Sequence, residues 1–98
     1  MSKPPFTLEK AIDLGEWQPQ VLAKYPEWNS LSKHARYQLI RQGMKNHRTH
    51  LRMQWAEISN QPNFSQKPHL KPALKKIEKA LKELTVEEEM IQIEYAGC

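Results

Sequence analysis

From Leu31 to Ile58 the apolar residues recur at helical spacing, interrupted by no proline and by a single glycine. Tyr37, Ile40, Met44, Leu51, Trp55 and Ile58 fall within one arc of a helical wheel, with His47 at its edge, which predicts a long amphipathic helix over residues 29–58. Asn29, Ser30 and Ser32 compete as its cap. Gly43 is its weak point, because a glycine inside a helix costs roughly 1 kcal/mol relative to alanine. It marks either a kink or a place where another backbone comes close. The apolar phase is the same on both sides of Gly43, which favours one helix with a bend over two helices.

A second pattern follows Pro68. Leu70, Leu74, Ile77, Leu81 and Leu84 alternate by four and three, and the alternation runs on through Glu88 to Ile91 and Tyr95. This predicts a second long helix over residues 68–95. Glu88 puts a charge where the seam should be apolar, and Thr85 and Val86 are weak helix formers, so fraying or a change of phase is expected after Leu84. A short strand over Met90 to Tyr95 is the alternative reading of that end. Residues 59–67, SNQPNFSQK, form the connecting loop, with Phe64 as its anchor.

Ahead of the long helices the pattern is broken into short pieces. Residues 1–6, with Pro4 and Pro5, read as an extended arm. Thr7 is an N-cap for a short helix over Leu8 to Leu14, and Gly15 is available for the left-handed turn that closes it. Pro19 suits the first turn of a second short helix, carrying Val21, Leu22 and Tyr25 and stopped by Pro26. Helices this short are not stable alone, so Trp17, Tyr25 and Trp28 are expected to seal residues 7–28 against the long element. Residues 96–98 read as a mobile tail.

A loop of about nine residues between two long helices leaves them only antiparallel packing. The expected fold is therefore a single all-α domain, an antiparallel hairpin of two long helices covered near its open end by two short N-terminal helices. With the helix ends level, Leu51 faces Ile77, Met44 faces Leu84 and Ile40 faces Glu88. Glu87, Glu88 and Glu94 then come near Lys33, Arg36 and Arg41, and those charges cancel.

Charge distribution adds a candidate surface. The net charge is only +4, but residues 45–82 hold seven Lys and two Arg against Glu57 and Glu78, while the remainder is net acidic. His34, Arg41, Lys45, Arg48 and Arg52 form a line beside the apolar arc, and no Asp or Glu occurs from Asn29 through Trp55. Arg41, Lys45, Arg48 and Arg52, with Lys71, Lys75, Lys79 and Lys82 from the second helix, are the candidate binding residues for a polyanion. Trp17 and Trp28 are core seals in the simplest reading and interface anchors if exposed.

Composition narrows the function classes. Ninety-eight residues with 39% hydrophobic and 27% charged side chains and a mean hydropathy of −0.79 describe one small, polar, folded domain. No apolar run approaches the roughly 20 residues needed to cross a bilayer, and residues 1–6 hold no apolar signal core, so a cytoplasmic protein without membrane contact is expected. The single cysteine, Cys98, excludes an intrachain disulfide and any multi-cysteine metal site. His47 and His50 have helical metal-ligand spacing but too few partners for a closed site. The preferred reading puts His47 at the core edge and His50 in solvent, with no metal and no cofactor. No glycine-rich phosphate loop or nucleophile setting is present, and Glu87, Glu88 and Glu89 run along a helix rather than converge, so no enzyme is expected.

The residues carry no family signature. Sequence therefore points to a non-enzymatic protein-interaction module, an adaptor or regulatory subunit, and secondly to a nucleic-acid-binding protein that grips the phosphate backbone. A protein partner is the first expectation, and self-association through the heptad face of the last helix is another way of enlarging a thin core.

Overall fold

The structure, a computed structural model, describes residues 7–96. The arm expected over residues 1–6, together with Gly97 and Cys98, lies outside the described residues. In chain order the elements are α1 (Leu8–Asp13), α2 (Pro19–Leu22), a 3₁₀ turn (Pro26–Ser30), α3 (Lys33–Ser59), a second 3₁₀ turn (Phe64–Gln66) and α4 (Leu70–Ala96). Among the described residues every regular element is helical. The two long helices pack antiparallel, and the N-terminal pieces cover one flank of the pair.

Local chemistry explains the boundaries. The Thr7 hydroxyl accepts from the Lys10 N–H and starts α1, and Gly15, at φ +94°, closes it in the left-handed region. Pro19 opens α2, but this helix ends at Leu22 rather than running on to Tyr25 as expected. Pro26 then begins a 3₁₀ turn of its own, which seats Trp28 in the core. Ser32 is the cap that prevails for α3, accepting from the Ala35 N–H. Pro72 is tolerated because it lies in the first turn of α4, where its missing N–H has no intrahelical partner to lose.

α4 does not fray after Leu84. It remains helical to Ala96, so the strand over Met90–Tyr95 is not seen; of the tail expected over residues 96–98 Ala96 is helical, and the other two lie outside the described residues. The Thr85 hydroxyl donates to the Leu81 carbonyl 3.2 Å away, which satisfies a side chain that otherwise competes with the helix.

The register differs from the level-ended expectation. Tyr37 stacks on Tyr95 with ring centroids 5.4 Å apart, and Arg48 pairs with Glu88, so α4 lies about one helical turn nearer the loop. Glu88 therefore meets Arg48 at the edge of the seam and not Ile40 in its centre. A charge that reads as a break in the heptad is accommodated by a cation about two turns farther along α3. The heptad face itself, with Leu84 and Ile91 buried, is consumed within the hairpin.

Gly43 resolves as the close-approach alternative. A methyl group there would overlap the Glu16 carbonyl oxygen, with the Glu16 carbonyl carbon at 3.0 Å and Trp17 Cα at 3.1 Å. A methyl group on Gly15 would likewise meet the backbone of His47, 3.1 Å from its Cα. Two glycines thus let the turn after α1 lie directly on α3. Polar contacts tie the N-terminal pieces down: Asn46 Nδ2 of α3 donates to the Ile12 carbonyl at 2.8 Å, Arg36 Nε of α3 donates to the Trp28 carbonyl at 3.0 Å, and the Leu8 N–H of α1 donates to the Glu27 carboxylate of the 3₁₀ turn at 2.9 Å.

The core gathers where the N-terminal pieces meet the hairpin. Leu8, Ala11, Ile12, Leu22, Tyr25, Trp28, Ile40, Met44, Leu84 and Ile91 are buried, and Trp17, Leu31, Tyr37, Leu39 and Tyr95 pack around them. None of residues 45–83 is buried. The loop end of the hairpin is a pair of helices in single contact, and the molecule measures 52 × 33 × 18 Å.

The Leu8 N–H, and then the N–H of Glu27 itself, hold the Glu27 carboxyl below the ordinary carboxylate range. Its contribution is complete above the unfolded value and is lost as pH falls through the folded one. Glu27→Gln is accordingly expected to melt below the parent at pH 7, with the gap closing as melts are repeated down to about pH 3. A gap that stays constant over that range would show that the carboxylate does not hold the start of α1.

Candidate functional site

Because α1 and its turn cover the Gly43, Asn46 and His47 side of α3, the opposite flank of the hairpin stays open. On that flank Arg41, Lys45 and Arg48 come from three successive turns of α3 and border a cleft of about 560 Å³. Gln38 and Gln42 add amides on the α3 side, Glu88 and Gln92 face them from α4, and Met44 and Ile91 form the floor. The aromatic end wall is Tyr37, already stacked on Tyr95, with the Arg41 guanidinium 5.6 Å above its ring centroid.

The eight basic residues expected to act together are divided by the structure. Arg41, Lys45 and Arg48 share the cleft, but Arg48 is paired with Glu88 and half-buried, so part of its charge is spent within the fold. Arg52 lies farther toward the loop, beside a shallow hollow of about 240 Å³ lined by Trp55, Glu78 and Leu81. Lys71, Lys75, Lys79 and Lys82 are exposed on α4 and do not line the cleft, and Lys79 stands 3.9 Å from Glu83 one turn on.

The tryptophans also separate. Trp28 is 5% exposed, with the Arg36 guanidinium 5.3 Å above its ring, and Trp17 is half-buried against the core. Both seal the N-terminal pieces and neither projects as an anchor. The tryptophan that reaches solvent is Trp55, placed by its spacing on the apolar arc but 38% exposed because the thin loop end has nothing to cover it.

A feature not singled out in the sequence lies on the outer face of α4. Val86, Met90 and Ile93 are 54%, 58% and 76% exposed and fall on one line at intervals of four and three, on the side of the helix opposite Leu84, Ile91 and Tyr95. The signal was present as a second apolar phase, hidden because Thr85 and Val86 read as a weakening of the helix. Glu83, Glu87, Glu89 and Glu94 flank the line, and Lys79 and Lys82 extend it toward the loop.

The histidines have a structural setting. Burial, and then the neighbouring His50, hold the His47 imidazole below its ordinary range, with Glu16 offsetting part of the effect. His50 is exposed. Among the described residues no three His, Cys, Asp or Glu side chains are grouped so as to hold a metal ion, and no helix is long and apolar enough to cross a membrane.

No protein-family model matches the chain, and no curated protein or solved structure is significantly similar to it.

Proposed function

We infer that the chain is a non-enzymatic protein-interaction module whose contact surface is the outer face of α4. The observation that carries this is the unbroken line Val86, Met90 and Ile93, three large apolar side chains exposed on a helix whose other side already packs in the hairpin, with Leu84 and Ile91 buried. Fully burying such a side chain is worth about 1.5–3 kcal/mol, so a partner that covered the line would gain a central apolar contact within a charged rim. The acidic residues on either side supply selectivity by sign.

Site-specific photo-crosslinking tests this. A photoreactive residue at position 90 should give protein adducts, the same residue at exposed Thr49 on α3 should give none, and Ile93→Asp should suppress the adducts without altering the circular dichroism. Equal labelling from both positions, or none from position 90, would overturn the assignment.

A second reading rests on the cleft. Arg41 and Lys45 face it beside three glutamine amides, a combination that suits a phosphate or carboxylate group, and a nucleic-acid backbone is the polyanion of that chemistry. Its control is the double change Arg41→Glu and Lys45→Glu, which spares the Arg48–Glu88 pair. Gel-shift binding that falls steeply with salt and disappears in this variant supports the reading, and binding unaffected by the change excludes it.

A further inference from the structure

We propose that the partner of the outer face of α4 is a second copy of the same chain, docked antiparallel, α4 against α4, about a two-fold axis passing at Val86. This rests on the outer face of α4 being a contact surface and adds what occupies it. The argument is one of charge. From Leu70 to Lys82 the helix carries five lysines and one glutamate, and from Glu83 to Ala96 it carries five glutamates and no lysine or arginine. That order opposes the helix dipole, which favours acids at the N-terminus and bases at the C-terminus; the first turn of α4 has no acid and its last turn no base. The arrangement therefore does not serve the helix by itself.

Nor does the hairpin neutralise it fully. Glu57 is the single acid of α3, so the five lysines of α4 have one carboxylate on the facing helix, and on the acidic half Glu88 pairs with Arg48. A complement for both halves at once needs a surface that is acidic where α4 is basic and basic where α4 is acidic. An antiparallel copy of α4 has that order.

The register follows from symmetry. A two-fold axis perpendicular to the helix pair places each flank of α4 beside the same flank of its copy. Lys82 and Glu89, seven residues apart, share one flank, and Lys76 and Glu94, eighteen residues apart, share the other, since eighteen residues make about five turns. With the axis at Val86, Lys82 comes beside the partner's Glu89 and Lys76 beside the partner's Glu94, each twice by symmetry. Val86 meets the partner's Val86, and Ile93 lies along the methylene stem of the partner's Lys79. Every member of this set is exposed in the single chain.

Sedimentation equilibrium of the full chain from about 1 µM to 1 mM, with two charge-reversal variants, tests the docking. The parent should dimerise, and added salt should weaken the dimer. Lys76→Glu with Lys82→Glu, and separately Glu89→Lys with Glu94→Lys, should each raise the dissociation constant at least about tenfold while keeping the parent circular dichroism, and mixing the two variants should restore the dimer. In a Cys98→Ser background Val86→Cys should oxidise to a disulfide-linked dimer, and Thr49→Cys should not. A parent that stays monomeric to about 1 mM, or a dimer indifferent to both reversals, overturns the self-docking. Neither result touches adducts from position 90 to other proteins, so the loss of this proposal and the loss of the α4 contact surface remain separable.

Discussion

Gly43→Ala is expected to lift the N-terminal segment off α3 and to cost about 3 kcal/mol. In an open helix interior the same change would stabilise by about 1 kcal/mol, since alanine is the better helix former, so the sign of the effect is diagnostic. Here the added methyl group is directed at the Glu16 carbonyl, with Trp17 Cα immediately behind it. Neither obstacle is the far end of a flexible side chain. α3 is continuous and packed against α4, so the element that moves is the turn between α1 and α2. Once it moves, Asn46 no longer reaches the Ile12 carbonyl, and Trp17 leaves the edge of the core. Chemical denaturation followed by tryptophan fluorescence reads both consequences, as a lower midpoint and a red-shifted native baseline. A stabilised variant would show that no backbone lies against Gly43.

The second large effect is expected at Trp28. Its ring is buried among Tyr25 and the other core residues, its carbonyl accepts from Arg36 Nε, and the same guanidinium lies over the ring. Trp28→Ala removes the ring and leaves the guanidinium without its platform, at a cost of about 3–5 kcal/mol. For a domain of this size that lowers the melting temperature by roughly 15 °C or more. Trp55→Ala provides the contrast, because a side chain 38% exposed at the thin end should cost about 1 kcal/mol or less. Similar melting shifts for the two variants would mean that Trp28 is not the seal between the N-terminal pieces and the hairpin.

Both predictions concern features that the sequence exposed only in part. The two long helices, the hairpin between them and the ends of α1 at Thr7 and Gly15 were legible because each depends on local spacing or on one residue's backbone preference, while Ser32 was legible only as one of three competing caps. Gly43 was legible as an anomaly with two meanings, and choosing between them requires knowing which backbone lies opposite. The register failed for the same reason. It is set by the Tyr37–Tyr95 stack and the Arg48–Glu88 pair, contacts between residues far apart in the chain. Glu88 looked like a flaw in a heptad because a pattern read along one helix cannot include the cation supplied by another.

The candidate surface was legible to a smaller degree. Arg41, Lys45 and Arg48 were found as a line, and the structure turns that line into one wall of a cleft. The lysines of α4 were assigned to the same surface because their number was visible and their direction was not. Val86, Met90 and Ile93 were passed over because propensity weighed against the helix that presents them. Their spacing gains meaning only once α4 is seen to continue to Ala96.

With no buried residue from 45 to 83, the molecule has a firm head and a compliant handle. Opening the helix pair from the loop end exposes only side chains already in partial contact with water, whereas opening it from the other end must release Ile40, Met44, Leu84 and Ile91 together. Local unfolding therefore starts at the loop and travels toward the head, stalling near Arg48 and Glu88 where the core begins. The outer line of α4 sits alongside the head, so a partner held there would rest on the part of the helix that stays formed while the handle frays and re-forms.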